Sequence, residues 1–190
     1  MELIFASHNE NKVNEIRAVL PKDIHLLSLN DIGFHQEIEE NGNTLEENSR
    51  IKAETIYKIY GKNVFADDTG LFVESLDSAP GVYSARYAGT GDSADNIEKL
   101  LKELENKSNR KAYFKTVICL FWKDEINFLT GEIHGKIIDE TKGTEGFGYD
   151  PVFVPEDYEI TFAEMDLNEK NRISHRARAV QKLINFVENN

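Results

Sequence analysis

The chain alternates between short apolar runs and stretches in which apolar residues recur every three or four positions. The runs at residues 3–6, 24–29, 64–66 and 112–122 predict buried strands, because polar or turn-forming residues bound them. Helical spacing follows the first run and returns near residues 45–60, 97–104 and 180–187. Lys123 and Asp124 predict a hairpin turn into two further strands, residues 126–129 and 132–138, and a short strand is expected at residues 152–154.

One apolar run ends in two adjacent carboxylates, Asp67 and Asp68, followed by Thr69 and Gly70. Successive side chains on a strand point to opposite faces, so the two carboxylates cannot both face the core. At the end of a strand both can reach a cleft, and two close carboxylates repel each other unless a cation lies beside them. The stretch therefore predicts either a metal-binding, water-activating site at a strand end or a polar turn that closes a hairpin.

The helix near residues 45–60 has well-marked ends. Thr44 and Glu47 match a capping box, and Gly61 suits the left-handed residue that follows many helices. Asn48 and Lys52 are four residues apart, so they share one face of this helix. That face is either solvated surface or a face that directs Lys52 toward the carboxylates or their ligand.

The polar loop at residues 7–12 separates the first strand from its helix. A helix N-terminus presents backbone N–H groups and the positive end of the helix dipole, which suit an anion. Ser7 and Asn9 add side-chain donors, and Lys12 adds a positive charge. Because the loop has no glycine-rich phosphate motif, the same residues also fit an ordinary polar helix cap.

Length and charge restrict the function further. The 190 residues are enough for one domain or two fused lobes without disulfides. The formal charge of −12 argues against broad nucleic-acid binding, although local lysines and a cation can still create a phosphate pocket.

The single cysteine, Cys119, is expected in the core. No run approaches the roughly 20 apolar residues of a membrane helix, and the N-terminus has no signal-peptide pattern, so we expect a cytoplasmic protein.

The loop at residues 146–151 places Phe147 between two glycines, which leaves the ring accessible. An aromatic ring on a flexible loop suits stacking on a nucleobase. The alternative, and the more common case in proteins, is a turn whose aromatic residues cover the core.

A basic stretch precedes and begins the last predicted helix: Lys170, Arg172, His175 and Arg176. Ser174 is expected to cap that helix, which places His175 and Arg176 in its first turn. Cations at a helix N-terminus oppose the dipole, so their presence indicates a local anion or a recognition role.

Seven motifs in order resemble those of the inosine/xanthosine triphosphate pyrophosphatases, also called the Ham1 family. Together they extend from the first strand to the last helix. They are Ser-His-Asn-Glu-Asn-Lys at 7–12, Glu-Glu-Asn-Gly-Asn-Thr-Leu at 39–45, Glu-Asn-Ser-Arg-Ile-Lys-Ala at 47–53, Ala-Asp-Asp-Thr-Gly-Leu at 66–71, Ala-Pro-Gly-Val-Tyr-Ser-Ala-Arg-Tyr at 79–87, Gly-Phe-Gly-Tyr-Asp-Pro at 146–151 and Ile-Ser-His-Arg at 173–176. One position departs: His8 stands where the family has glycine, which could alter the tightness of the first phosphate loop.

The resemblance implies an α/β fold in a single domain over residues 1–190: an elongated mixed β-sheet with flanking helices and two lobes around a central cleft. It also implies a homodimer. The implied reaction is the Mg²⁺-dependent hydrolysis of ITP, dITP, XTP and dXTP to the monophosphate and pyrophosphate, which cleanses the nucleotide pool. The implied partner is thus a purine nucleoside triphosphate substrate, with no nucleic acid and no membrane.

The resemblance also implies a role for each matching residue. Glu40 and Asp68 would bind Mg²⁺, and Asp68 would activate water with support from Asp67. Ser7, Asn9, Lys12 and the catalytic Lys52 would hold the phosphates. Phe147 would stack on the base, and a donor from the turn at His175 and Arg176 would recognise the C6 carbonyl of hypoxanthine or xanthine. The full set of expected substrate contacts is Ser7, His8, Asn9, Glu10, Asn11, Lys12, Asn48, Thr69, Phe147, Gly148, Tyr149, Asp150, Lys170, His175 and Arg176.

Three other functions fit part of the pattern. A pyrophosphatase of the Maf type would lack the glycine–aromatic loop at residues 146–151. A nucleotide sensor without activity would not need Glu40, Asp68 and Lys52 together. A structural α/β domain without a ligand would leave the basic stretch at residues 170–176 unexplained.

Overall fold

A computed structural model describes all of the chain, residues 1–190. The strands are β1 (Glu2–Phe5), β2 (His25–Ser28), β3 (Val64–Val73), β4 (Pro80–Gly81), β5 (Lys111–Trp122), β6 (Glu125–Ile137) and β7 (Phe153–Pro155). The helices are α1 (Glu10–Arg17), α2 (Leu45–Tyr60), α3 (Ser93–Glu103), α4 (Leu167–Ile173) and α5 (His175–Asn189). None of these helices combines the length and the apolar composition that crossing a bilayer requires.

The strands form one mixed sheet in the order β2-β1-β3-β5-β6-β7, with β4 paired to β3. β1 runs parallel to both of its neighbours, with Leu3 beside Leu26 and Ile4 beside Val64. β4 is antiparallel to β3, and β7 is antiparallel to β6. The expected mixed sheet with flanking helices is therefore confirmed.

The residues divide into two compact units. Residues 1–68, 116–131 and 176–190 form the first unit, and residues 69–115 and 132–175 form the second. Three long strands, β3, β5 and β6, contribute residues to both units.

In the first unit, alternate side chains of the strands meet two different helical layers. One set packs with α1 and α5, and it contains Phe5, Phe65, Ile118 and Leu120. The other set packs with α2, and it contains Ile4, Val64, Ala66, Cys119 and Phe121. Because the side chains of a strand alternate, parity (whether a residue number is odd or even) decides which layer a residue in this part of β3 faces. The odd-numbered Phe65 faces α1 and α5, and the even-numbered Val64 and Ala66 face α2.

The ends of α2 follow the predicted signals. Thr44 Oγ1 accepts a hydrogen bond from the backbone N–H of Glu47 at 3.1 Å. The carboxylate of Glu47 accepts in return from the N–H of Asn43 at 2.6 Å, one residue before the cap. Gly61 has φ +58°, the left-handed conformation expected of the residue that ends the helix.

The core of the second unit is rich in aromatic side chains. Phe114 on β5 lies 4.7 Å, centroid to centroid, from Phe153 on β7, and Phe162 packs against both. α3 adds Ile97 and Leu100 to this core. Asp92 caps α3, accepting from the N–H groups of Ala94 and Asp95.

Two expectations about these elements are wrong. β3 continues past the two aspartates to Val73, because Leu71 and Val73 are buried in the core of the second unit. This excludes the polar turn at residues 67–70. Residues 126–129 and 132–138 are not two strands, since β6 runs from Glu125 to Ile137 beside a β5 of 12 residues. The hairpin turn at Lys123 and Asp124 is confirmed, with φ of +47° and +68°.

The basic stretch before the last helix contains a helix that was not predicted. Lys170 and Arg172 belong to a separate helix, α4, whose cap Asp166 accepts from the N–H of Glu169 at 2.8 Å. The helix is seven residues long and has little apolar periodicity, so the hydrophobic pattern did not predict it. α5 begins at His175, directly after Ser174, as expected.

Candidate active site

Asp67 and Asp68 lie in the middle of β3, and the alternation of the strand sends them to opposite faces. Asp67 has the parity of Phe65 and faces α1 and α5, whereas Asp68 has the parity of Ala66 and faces α2. Their exposed fractions are 1% and 8%. The expectation that both lie at the end of a strand is therefore wrong, and each carboxylate meets its own set of polar partners.

On the α1 and α5 face, Asp67 accepts from two cations. Lys12 Nζ donates to Oδ1 at 2.9 Å, and Arg176 Nε donates to Oδ2 at 3.1 Å. Arg176 Nη1 also donates to the carboxylate of Glu15. These four residues, Lys12, Asp67, Arg176 and Glu15, form a buried chain of alternating charges that we call the Asp67 network.

The Asp67 network keeps Asp67 ionised. Burial by itself pushes the pKa of Asp67 upward, but the positive charges of Lys12 and Arg176 outweigh burial and hold that pKa below its usual range. Burial lowers the pKa of Lys12, and Asp67 offsets part of this effect. The pKa of Arg176 is raised: burial would lower it, but Glu15 and Asp67 more than compensate.

On the α2 face, Asp68 has a different environment. Asn48 Nδ2 donates to Asp68 Oδ2 at 3.1 Å. Lys52 Nζ lies 3.1 Å from Glu40 Oε2 and 4.0 Å from Asp68 Oδ1, so two carboxylates approach one ammonium group. Asn48 is 1% exposed and Lys52 is 8% exposed, which excludes a solvated helix surface.

The acidic turn before α2 is held in place by the same helix. Asn48 Oδ1 accepts from the backbone N–H of Gly42 at 2.8 Å. Glu39 is exposed, whereas Glu40 is partly buried and pairs with Lys52. Of the two acidic residues, Glu40 is therefore the one directed toward Asp68.

The pKa of Asp68 is shifted in the opposite direction to that of Asp67. Burial raises the pKa of Asp68, and the nearby positive charges of Lys52 and Lys12 offset only part of this effect. A carboxylate with a raised pKa is a stronger base than an ordinary aspartate.

The first loop is organised by local hydrogen bonds. Asn9 Oδ1 accepts from the N–H of Lys12 at 3.2 Å as the N-cap of α1, and Ser7 Oγ accepts from the N–H of Asn9 at 3.2 Å. His8 Nε2 lies 2.7 Å from the carbonyl oxygen of Phe34. Glu10 accepts from Asn30, and Asn11 is exposed in the first turn of α1. The polar-cap interpretation thus describes Asn9, while ligand contacts by this loop stay a prediction.

In the second unit, the Phe147 loop is pinned by a buried ion pair. Asp150 Oδ2 accepts from the backbone N–H of Phe147 at 2.8 Å and from Lys170 Nζ at 2.6 Å. Lys170 Nζ lies 5.0 Å from the centroid of the Phe147 ring and 5.5 Å from that of Phe162. The loop expected to be flexible is therefore fixed at Phe147, and the ring itself is only partly buried.

Other predicted ligand residues have structural contacts of their own. The Tyr149 hydroxyl donates to the carbonyl of Ser84 at 2.8 Å, and burial raises the pKa of this tyrosine. The buried His175 ring stacks on Phe114 with 4.6 Å between ring centroids. Thr69 and Gly148 are partly buried. The proposed ligand roles of these residues stay predictions, as does the role of Arg176 in base selection.

Sequence reasoning missed Glu15. This carboxylate is 5% exposed and pairs with Arg176, which lies 161 positions further along the chain. One signal was available, because Glu15 follows Lys12 by three residues and so shares its helix face. Its partner could not be identified without the fold.

The chain resembles proteins of one family over nearly its whole length. Residues 3–186 match the Ham1 family. A dITP/XTP pyrophosphatase from Christiangramia forsetii is 52% identical over 188 residues, covering 98% of this chain and 99% of the relative. The protein of the same name from Flavobacterium psychrophilum is 51% identical over 190 residues, with 100% of both chains covered.

Solved structures agree with the sequence comparison. A HAM1 protein from Coxiella burnetii superposes with a TM-score of 0.91 at 38% identity, covering 100% of both chains. The Ham1 protein of Staphylococcus aureus has a TM-score of 0.89 at 39% identity, covering 100% of this chain and 99% of its own. The chain belongs to the Ham1 family.

Proposed function

We propose that this chain hydrolyses the non-standard purine nucleoside triphosphates ITP, dITP, XTP and dXTP to the monophosphate and pyrophosphate. The observation that carries the proposal is the environment of Asp68: a buried carboxylate held by Asn48 and placed beside Lys52 and Glu40. That environment suits the activation of water next to a highly charged substrate. Relatives named dITP/XTP pyrophosphatases, about half identical over the full chain, support the same chemistry.

The residues present fit a bound Mg²⁺. Glu40 and Asp68 both direct carboxylate oxygens toward one cation, the ammonium of Lys52. Mg²⁺ prefers oxygen ligands and is commonly held by one or two carboxylates together with substrate phosphates, so two carboxylates suffice. When bound, Mg²⁺ would neutralise negative charge on the phosphate oxygens.

The protein groups around Asp68 have separate tasks in this proposal. Asp68 is the buried carboxylate placed to accept a proton from the attacking water, beside the Lys52 ammonium that attracts the phosphates. Asn48 fixes one carboxylate oxygen of Asp68 by its hydrogen bond, which sets the orientation of the other. Lys52 attracts the phosphates, whose charge grows on the leaving pyrophosphate.

The Asp67 network has a supporting task. Asp67 stays ionised and holds the ammonium of Lys12 at 2.9 Å. The ordered position of Lys12 lets it meet an anionic phosphate with little loss of conformational freedom. Asp67 is thus a positioning residue in this proposal, and Asp68 is the base.

Base recognition is assigned to the second unit. Phe147 lies on a loop fixed by Asp150 and Lys170, so its ring is already ordered for stacking on a purine. Stacking contributes affinity for any purine and does not discriminate among them.

The family resemblance further leads us to propose that the chain assembles as a homodimer.

The test is a panel of nucleoside triphosphates assayed with Mg²⁺ and with a chelator. We expect pyrophosphate release from ITP, dITP, XTP and dXTP, little from ATP, and loss of release when Mg²⁺ is removed. Orthophosphate as the first product would contradict cleavage between the α and β phosphates. A preference for nucleotides other than ITP, XTP and their deoxy forms would favour chemistry of the Maf type instead.

A further inference from the structure

Residues 142–145, the segment before Phe147, are hydrogen-bonded to residues 161–163. The carbonyl oxygen of Ala163 accepts from the N–H groups of both Thr144 and Glu145, each at 3.0 Å. Close by, Thr161 Oγ1 donates to the carbonyl of Lys142 at 2.9 Å. Both acceptor and donor residues, Ala163 and Thr161, are fully buried, so this attachment is part of the packed interior.

Gly143 makes the attachment possible. Its φ is +81°, and a Cβ added there would overlap the carbonyl group of Ala163 and lie 2.5 Å from the nitrogen of Glu164. These are backbone atoms, which cannot turn away as a flexible side chain can. Any side chain at this position would push the segment off Ala163 and break the two hydrogen bonds.

The attachment limits where Phe147 can lie. Only Gly146 separates Glu145 from Phe147, and on its other side Phe147 is fixed by Asp150. The backbone is therefore held on both sides of Phe147. We propose that Gly143 is a positioning residue for base stacking, because its missing side chain lets the segment lie on Ala163 and so orders the Phe147 ring. This inference rests on the proposed function, in which Phe147 stacks on the purine.

Gly143→Ala tests the inference, and Gly91→Ala is its matched control. Gly91 has φ +77° and no atom within 4 Å of an added Cβ, so the control carries the same backbone strain without the clash. The measurements are KM and kcat for dITP and XTP, together with the inhibition constant of inorganic tripolyphosphate, which has no base.

For Gly143→Ala we expect KM to rise about tenfold or more, as for an impaired stacking contact, while kcat changes less. The inhibition constant of tripolyphosphate should not change, because Lys12, Lys52 and Asp68 belong to the first unit. Gly91→Ala should leave all three quantities at their wild-type values. An unchanged KM in Gly143→Ala, or an inhibition constant that rises in step with KM, would overturn the inference.

A second pair of variants decides the question if Gly143→Ala does not fold. Thr161→Val removes the hydroxyl that donates to the carbonyl of Lys142 and also accepts from the backbone N–H of Glu164, whereas Thr161→Ser retains both hydrogen bonds. We expect KM to rise in Thr161→Val and to return toward wild type in Thr161→Ser; equal KM values in the two variants would overturn the inference. A wild-type protein that releases no pyrophosphate from any purine triphosphate would instead refute the proposed function.

Discussion

The two faces of β3 give adjacent aspartates opposite electrostatic properties. On one face, Lys12 and Arg176 hold the pKa of Asp67 below its usual range despite complete burial. On the other face, burial raises the pKa of Asp68. Lys52 offsets only part of this effect, because its ammonium is 4.0 Å from Asp68 and also pairs with Glu40. The residue type and the strand are the same, so the difference comes from the helices that each face meets.

This difference separates two tasks that one carboxylate could not perform together. A carboxylate paired with two cations is a poor base, since its proton affinity is low. It is well suited to hold those cations in place. A carboxylate whose charge is less well compensated can take up a proton, which is what the activation of water needs.

The largest expected effect is on turnover. Asp68→Asn should lower kcat by about 10²–10⁴-fold, because the amide cannot accept the proton of the attacking water. The fold should be retained, since an amide oxygen can still accept the hydrogen bond from Asn48. Pyrophosphate release under saturating dITP measures the effect, with Asp67→Asn as the control. Equal loss of kcat in the two folded variants would contradict the division of tasks.

The second effect concerns stability. Asp67→Asn leaves the buried cations Lys12 and Arg176 with one carboxylate fewer, which should cost about 3–5 kcal/mol of unfolding free energy. Asp68→Asn should leave the unfolding free energy unchanged or slightly higher, because it removes a poorly compensated buried charge. Urea unfolding at neutral pH compares the two variants. A greater loss in Asp68→Asn than in Asp67→Asn would reverse the comparison.

Lys12 and Lys52 should both affect catalysis but should differ in their effect on stability. Lys12→Ala and Lys52→Ala should each lower kcat/KM for dITP by roughly 10–100-fold, the loss of one charged hydrogen bond to the phosphates. Lys12→Ala should lower the unfolding temperature more than Lys52→Ala, because the fully buried Asp67 loses a partner 2.9 Å away, whereas the nearest carboxylate to Lys52 is the partly exposed Glu40. Unchanged kinetics in both variants would show that neither lysine contacts the substrate.

Glu15→Gln tests the outer end of the Asp67 network. The substitution keeps the shape but removes the charge that pairs with Arg176, and it should cost about 1.5–3 kcal/mol of unfolding free energy. The cost should be smaller than that of Asp67→Asn, because Arg176 keeps its bond to Asp67. Glu10→Gln, an exposed change on the same helix, is the control. If Glu15→Gln loses no more unfolding free energy than Glu10→Gln, then Glu15 does not contribute to the stability of the Asp67 network.

The smallest effect is on the pH dependence of stability, with opposite signs for the two aspartates. The depressed pKa of Asp67 stabilises the folded state above the ordinary carboxyl pKa of about 4, and this contribution is lost as the pH falls through the folded-state pKa. The raised pKa of Asp68 lowers stability as the pH increases from about 4 through its folded-state value.

The deficit of Asp67→Asn relative to wild type should therefore shrink in acid. The advantage of Asp68→Asn should grow as the pH rises above about 4. Unfolding curves collected between acid and neutral pH measure both trends. Parallel pH profiles for wild type and both variants would show that neither carboxyl is perturbed.

Local sequence signals predicted much of this molecule. The capping residue Thr44, the turn at Lys123 and Asp124, and the buried Cys119 are all where short-range chemistry placed them. The helical spacing of Asn48 and Lys52 also put them on one face, although it could not show that this face is buried.

What the sequence could not supply depends on distant contacts. The full length of β3 and β6 is set by neighbouring strands and by the cores that they enter, not by the residues at which the apolar runs break. The pairing of Glu15 with Arg176 joins the two ends of the chain. The attachment of Gly143 to Ala163 is equally invisible until both segments are folded.

The most direct test of the central claim is a ¹³C NMR titration of the two carboxyl carbons, assigned with the Asp67→Asn and Asp68→Asn variants. We predict that Asp68 titrates above the ordinary aspartate pKa of about 4, while Asp67 stays ionised to a pH well below that value. Coincident titration of the two carboxyls, or a higher pKa at Asp67 than at Asp68, would contradict the assignment of Asp68 as the base and Asp67 as the residue that holds Lys12.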